Sequence, residues 1–256
     1  MWPLTFISEA DFHRHIDETI QYYGGKLEPY DLQKLNKHFI DPIKLIFDKI
    51  VYQFSWEEIV KNEIFRQRDK SNNNDIGYFH QRIFQYIQGC EVPQSGWDVI
   101  LAKDSGIQIS EDDRVNRVFV ELKNKHNTMN SSSSAKTYIK MQSQILSDDE
   151  CACFLVEVIA KQKKKHRLIR RVSIDQFYAL VTGQEDAFYQ LCMVLPGAIE
   201  RTIAFSTMET IPKDSAFDEL KSRAGVNGRS FPLALYLLGF SSYNGFNVKY
   251  RDTFYE

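Results

Sequence analysis

The chain has 256 residues, 43% apolar and 13% aromatic, enough to bury a substantial core within one large domain. Its 32 basic and 34 acidic side chains leave a net charge of −2, which excludes a uniformly basic coat for nucleic acid. No stretch approaches 18 consecutive apolar residues, and residues 1–8 lack a charged-then-apolar leader, so we expect a cytoplasmic protein with no membrane partner. Cys90, Cys151, Cys153 and Cys192 form no Cys-x-x-Cys pair, which argues against a zinc ribbon or redox motif.

The first third reads as helical. Ser8 with Asp11 makes a capping box, and Phe12, Ile16, Ile20 and Tyr23 form a stripe that ends at Gly24-Gly25. A second helical region spans 31–53, broken where Asp41 caps and Pro42 restarts it. Ser55 and Glu58 cap a third helix carrying Glu63, Arg66 and Arg68; the polar run Ser71–Asp75 predicts a loop. A fourth helix then presents Phe79, Ile83, Phe84 and Ile87 and stops at Gly89.

Strands are predicted at 97–102, 115–123, 153–160 and 168–174, with a helix at 134–146 capped by Ser133 or Ser134. That strand–helix–strand unit implies a crossover and a parallel pair. The last two strands read as a hairpin whose tip is the basic run 161–171, with seven Lys or Arg and no acid. Helices return at 174–194 and 214–239. The expected fold class is α/β, a mixed sheet flanked by helices, in a single domain. Within it, residues 1–60 form an N-terminal helical region, residues 61–195 the core and residues 196–256 a C-terminal region of helices and loops.

Val118-Phe-Val-Glu-Leu-Lys-Asn124 is the informative stretch. Side chains alternate along a strand, so Phe119, Glu121 and Lys123 share one face and Val118, Val120 and Leu122 the other. A hairpin turning near residue 110 sets Asp98, at the start of the preceding strand, opposite Lys123 and beside Glu121. Two acids and a lysine at one sheet edge suit Mg²⁺-dependent phosphodiester hydrolysis. Asp98, Glu121 and the Leu122 carbonyl are the candidate metal ligands, and Lys123 orients water or stabilises charge. The bland reading is a cross-strand ion pair. A second Glu-x-Lys string, Glu219-Leu-Lys221, lies in a charged helical stretch and reads as a solvated face.

Asp98, Glu121 and Lys123, with the helix–strand–strand–helix–strand order around them, resemble the PD-(D/E)xK nuclease superfamily, although Trp97 stands where a proline often precedes the first acid. The wider text, Ile76-Gly-Tyr-Phe-His-Gln81, Gly96-Trp-Asp-Val99, Val120-Glu-Leu-Lys-Asn-Lys-His-Asn-Thr-Met-Asn130 and Phe177-Tyr-Ala-Leu-Val-Thr-Gly183, resembles type II restriction endonucleases that recognise GGNCC. The resemblance spans residues 60–245. It implies a restriction-endonuclease-like core, a homodimer cutting double-stranded DNA with Mg²⁺, and pairing with a DNA methyltransferase of the same specificity. It also implies that a helical acid, Glu63, completes the metal site; the alternative is an ion pair with Arg66 or a contact with Gln67.

Candidate DNA contacts are Asn124, Lys125, Asn127, Ser133, Ser134 and Lys136 after the catalytic strand, Lys163, Lys164, Lys165 and Arg167 in the basic run, and Arg229. Arg170 and Arg223 are further candidates for guanine readout. His80, Tyr138, Gln142 and Glu157 are open between packing and the site. A repair or structure-selective nuclease, and a non-catalytic DNA-binding protein on a degenerate core, are the rival functions.

Overall fold

The computed structural model describes residues 2–24, 28–37, 40–126, 128–160, 164–165, 167–205, 213–225 and 231–240. Asn127, Lys163 and Arg229 lie outside the described residues, and the side chains of Lys164 and Lys165 are not described either. The contacts divide the chain into two compact units, one of residues 1–22 and 74–207, the other of residues 23–73 and 208–256.

The first unit is built on a mixed six-stranded sheet in the order β1-β2-β3-β4-β6-β5. The strands are β1 (Cys90–Glu91), β2 (Val99–Gln108), β3 (Arg114–Lys125), β4 (Cys151–Ile159), β5 (Lys164–Lys165) and β6 (Ile169–Ser173). β2 and β3 pair antiparallel, whereas β3 and β4 pair parallel across the crossover helix α5 (Ser131–Ser147). The alternation expected for β3 is present: Val118, Val120 and Leu122 enter the main core, while Phe119 packs with Met141, Cys151, Cys153 and Leu155 under α5. The main core is covered by α1 (Glu9–Gly24), the end of α4 (Trp56–Arg82), α6 (Ile174–Thr182) and α7 (Ala187–Phe205). β4 is buried on both faces, so it reads as a continuous apolar run.

The second unit holds α2 (Leu32–Lys37), α3 (Pro42–Val51), the first half of α4, α8 (Ala216–Gly225) and α9 (Phe231–Gly239) around Leu35, Ile59, Ile64, Leu220 and Leu235. Asp41 caps α3 by accepting from the amides of Ile43 and Lys44, with Pro42 in the first turn. Glu219 does more than face solvent: its carboxylate accepts from the amide of Leu32 and the Ser215 hydroxyl.

Four local expectations are corrected. Ser71–Asp75 is helical, so one 27-residue helix replaces two. Asn73 turns its amide back onto the carbonyl and carboxylate of Asp69 one turn earlier, and Asp75 is buried, so a polar composition did not mean a loop. The cap of α5 is Asn130, whose side chain accepts from the Ser133 amide. Ser133 and Ser134 therefore belong to the first turn. β4 and β6 run parallel instead of forming a hairpin; β5 turns back antiparallel along the outer edge of β6. Finally, Gly183 in the left-handed region (φ 75°) splits the expected 174–194 helix into α6 and α7.

His15 is buried in the first unit, its ring stacked on Phe79 at 4.7 Å and its Nε2 2.9 Å from the Phe79 carbonyl oxygen. Burial lowers its pKa to about 4; burial, with the nearby His15, also lowers that of His80 to about 4. The unfolded chain takes up these protons near 6.5, so stability is complete above that pH and declines as the pH falls toward 4. Chemical denaturation at stepped pH should show this decline, and His15→Leu should make it shallower; an equally steep decline in the variant would refute the assignment.

Candidate active site

The geometry starts with a bulge. Ala102 pairs with Arg117 but Ile107 pairs with Val115, so four residues, Lys103–Gly106, face Asn116 alone. Gly106 takes φ 74°, and a Cβ there would stand 2.4 Å from the Arg114 side chain, so this corner needs glycine. Carried back unbroken from Ile107 and Val115, the register would set Asp98 against Asn124. The bulge instead pairs Val99 with Val120 and brings Asp98 beside Glu121, correcting the expected alignment with Lys123.

Asp98 closes the strand end through its own atoms. Its amide donates to the Val120 carbonyl at 3.0 Å, and its Oδ2 accepts from the Leu122 amide at 2.7 Å. Gln81, on α4, donates to the Asp98 carbonyl at 3.2 Å. Lys123 Nζ lies 2.8 Å from Glu121 Oε1 and 4.0 Å from Asp98 Oδ2. The structure thus brings Asp98, Glu121 and Lys123 together on the α5 side of the sheet.

The two acids respond differently to burial. Burial raises the Asp98 pKa, and the negative charge of Glu121 adds to this against the Leu122 hydrogen bond. Burial also opposes ionisation of Glu121, but hydrogen bonds from Lys123 and Lys140 outweigh it and hold that carboxyl below its ordinary value. Lys140, on α5, reaches Glu121 Oε2 at 2.7 Å. The sequence reading missed it. Its one signal was position, next to Met141 on the helix that must cover the Phe119 face.

Glu157 lies beside Lys123 in the β3–β4 register and is fully buried. It forms an ion pair with Arg171 of β6, while its Oε2 has no hydrogen-bond partner among the described residues. Arg171 also donates to the His126 carbonyl at 3.1 Å. Tyr138, on α5, packs against the Phe119 cluster, and Gln142 is exposed. His80 is packed against Phe79.

The other expected site residues are distributed unevenly. Asn124 lies against Gly77 of α4, and exposed Lys125 sits at the end of β3. Ser133 and Lys136 are exposed on α5, and Ser134 is half-buried. Lys164 occupies the cross-strand row that runs from Glu121 through Leu155 and Arg171, so its backbone is about 14 Å from Glu121 at three strand spacings. Arg167 bonds Asp113 at 2.8 Å, and Arg170 donates to the Ile109 carbonyl. Arg170 occupies the cross-strand row of Phe154 and Val120, two strand spacings or about 10 Å from Val120, on the core face of the sheet opposite Glu121. Glu63 belongs to the second unit, where Arg66 takes both carboxylate oxygens and Gln67 adds a bond at 3.0 Å.

Among the described residues no group of three or more His, Cys, Asp or Glu is gathered to cage a metal. The donor set at the sheet edge is two acids, one of them disfavoured as an anion by burial and by the other's charge. That fits a hard divalent cation, which takes one or two carboxylates and completes its shell with water and substrate oxygens.

A mixed sheet flanked by helices, with two acids and a lysine at the end of an antiparallel pair, defines a restriction-endonuclease-like core. Residues 4–204 match the Eco47II restriction endonuclease family, and the chain belongs to it. It is 28% identical over 262 residues to the type II restriction enzyme Sau96I of Staphylococcus aureus, covering 94% of this chain and 97% of that one. It is likewise 28% identical over 221 residues to the type II restriction enzyme Eco47II of Escherichia coli, covering 77% and 87% of the two chains. The protein is a type II restriction endonuclease, an enzyme class that acts on double-stranded DNA. Among the described residues no helix is long and apolar enough to cross a membrane.

The buried Glu157–Arg171 pair supports the floor of this site. Arg171→Met should destabilise the protein by about 3 kcal/mol, because it strands a buried carboxylate. Adding Glu157→Gln should recover part of that loss in denaturant titrations. Equal stability of wild type and the single variant would remove the pair from the structural account.

Proposed function

We propose that this chain hydrolyses DNA phosphodiester bonds with Mg²⁺ held by Asp98, Glu121 and the Leu122 carbonyl. The observation that carries this reading is the Leu122 amide donating to Asp98 Oδ2 at 2.7 Å. Within a strand the N–H and C=O of one residue point to the same side, so the Leu122 carbonyl also faces the Asp98 side of β3. β2 begins only at Val99, which leaves that carbonyl at the sheet edge, past the last paired residue.

The bound cation would supply positive charge for the phosphate and a more acidic water. The protein's own residues set the rest. Asp98 and Glu121 fix where the cation and phosphate meet. Lys123, with its ammonium between the two acids, orients water and offsets charge developing on the phosphate. Its hydrogen bond to Glu121 favours that electrostatic role over service as a base. Lys125 and Lys136, with the amides of the first turn of α5, form a basic and polar border for the DNA backbone.

The recognition sequence we propose is GGNCC, resting on the likeness of the motifs around Gly96–Val99 and Val120–Asn130 to enzymes of that specificity. Such a site has pseudo-two-fold symmetry, and a homodimer matches it. A methyltransferase of the same specificity would protect the DNA of the host cytoplasm.

Digestion of unmethylated plasmid with Mg²⁺ and with EDTA, followed by sequencing of the ends, tests the reading. Discrete Mg²⁺-dependent fragments ending in GGNCC are expected. Glu121→Ala should lower cleavage on the order of a hundredfold or more while retaining DNA binding. Discrete ends at another sequence would discard the specificity. Smears or nicks would favour a structure-selective nuclease, and binding without cutting under any divalent ion would leave only a DNA-binding protein.

A further inference from the structure

The side chain of Lys140 makes three contacts at the site that a surface helix residue has no need to make. Its Nζ is 2.7 Å from Glu121 Oε2, 2.6 Å from the Gly96 carbonyl oxygen and 4.0 Å from the centre of the Trp97 ring. Trp97 is itself fixed, with its Nε1 donating to Gln144 Oε1 at 3.2 Å and its ring tilted against Phe119 at 5.5 Å. α5 contains no acid, so Lys140 has no partner one turn away on its own helix. Its ion pair with Glu121 is made across elements.

The consequence is that both oxygens of Glu121 are occupied by ammonium groups, Oε1 by Lys123 and Oε2 by Lys140. Lys123 shares a strand face with Glu121, two residues away, and remains adjacent however the carboxylate turns. Lys140 is held from a different element, and its side chain keeps 35% of its exposure, so it has solvent to move into. Glu121 is 16% exposed, and a carboxylate that buried is poorly tolerated without compensating charge.

We infer that Lys140 is a resident counter-ion of the active site, holding on Glu121 Oε2 the place that a divalent cation takes when the enzyme is charged for cleavage. This rests on the reading of Asp98 and Glu121 as metal ligands. Ammonium and metal then compete for one oxygen. The lysine keeps the acidic edge neutral enough to fold and to approach DNA phosphates, and it weakens the protein's grip on free metal.

The test is Mn²⁺ binding in the absence of DNA, read by electron paramagnetic resonance, for wild type, Asp98→Asn, Lys140→Met and Lys140→Arg. Methionine keeps the apolar stem over Trp97 and removes the charge. We expect Lys140→Met to bind Mn²⁺ about tenfold more tightly, the weight of one charge-assisted hydrogen bond no longer displaced. Lys140→Arg should stay near wild type and Asp98→Asn should bind more weakly than wild type. Unchanged or weaker binding by Lys140→Met, with Asp98→Asn still impaired, overturns the counter-ion role alone. Binding indifferent to Asp98→Asn, or absent in all four proteins, overturns the metal-site reading and this inference with it. Should Lys140→Met fail to fold by circular dichroism, Lys140→Gln carries the same expectation.

Discussion

Four residues of β2 opposite one of β3 set the register on which the candidate site of this protein depends. The Lys103–Gly106 bulge moves the antiparallel register, and with it every residue toward the open end of the hairpin. It brings Asp98 beside Glu121 and lets its carboxylate reach the Leu122 amide past the end of β2. A slip of one residue would turn Asp98 to the opposite face, into the core that Val99 and Leu101 now fill. The alternation of apolar and polar positions on β3 therefore guards the register, because Val118, Val120 and Leu122 must stay in that core.

Around this edge the protein concentrates charge that it must then balance. Glu121 is matched by two lysines, Glu157 by Arg171, and Asp98 by a backbone amide. The matching groups come from β3, α5 and β6, so the site reports on the assembly of the whole mixed sheet. Burial, with the charge of Glu121, raises the Asp98 pKa against its hydrogen bond from the Leu122 amide. A cation held there, as proposed above, would offset both that burial and the charge of Glu121.

Much of this was legible in the sequence. The face of β3 that carries Glu121 and Lys123 follows from period-two alternation, and Asp98 announced itself by opening the preceding apolar strand. The Asp41–Pro42 cap was equally plain. What was hidden depended on long-range pairing. No local signal marks the bulge except Gly106, so the alignment of Asp98 was displaced by two positions. The parallel pairing of β4 with β6 was masked by a connection short enough to read as a hairpin. Ser71–Asp75 has the composition of a loop, yet its side chains satisfy one another along a helix. Arg167 and Arg170 looked like members of the DNA-facing run, and the fold spends them on Asp113 and Ile109 in the turn of the β2–β3 hairpin.

The central claim is that Asp98 and Glu121 hold a divalent cation at the edge created by the bulge. Anomalous scattering from a crystal of the protein grown with Mn²⁺ and a DNA duplex locates that ion directly. The account predicts a peak bridging the two carboxylates and the Leu122 carbonyl, at roughly 2.2 Å from each oxygen, the range for small hard cations on oxygen ligands. A peak held by other acids, with Glu121 still bound to Lys123 and Lys140 on both oxygens, would contradict it.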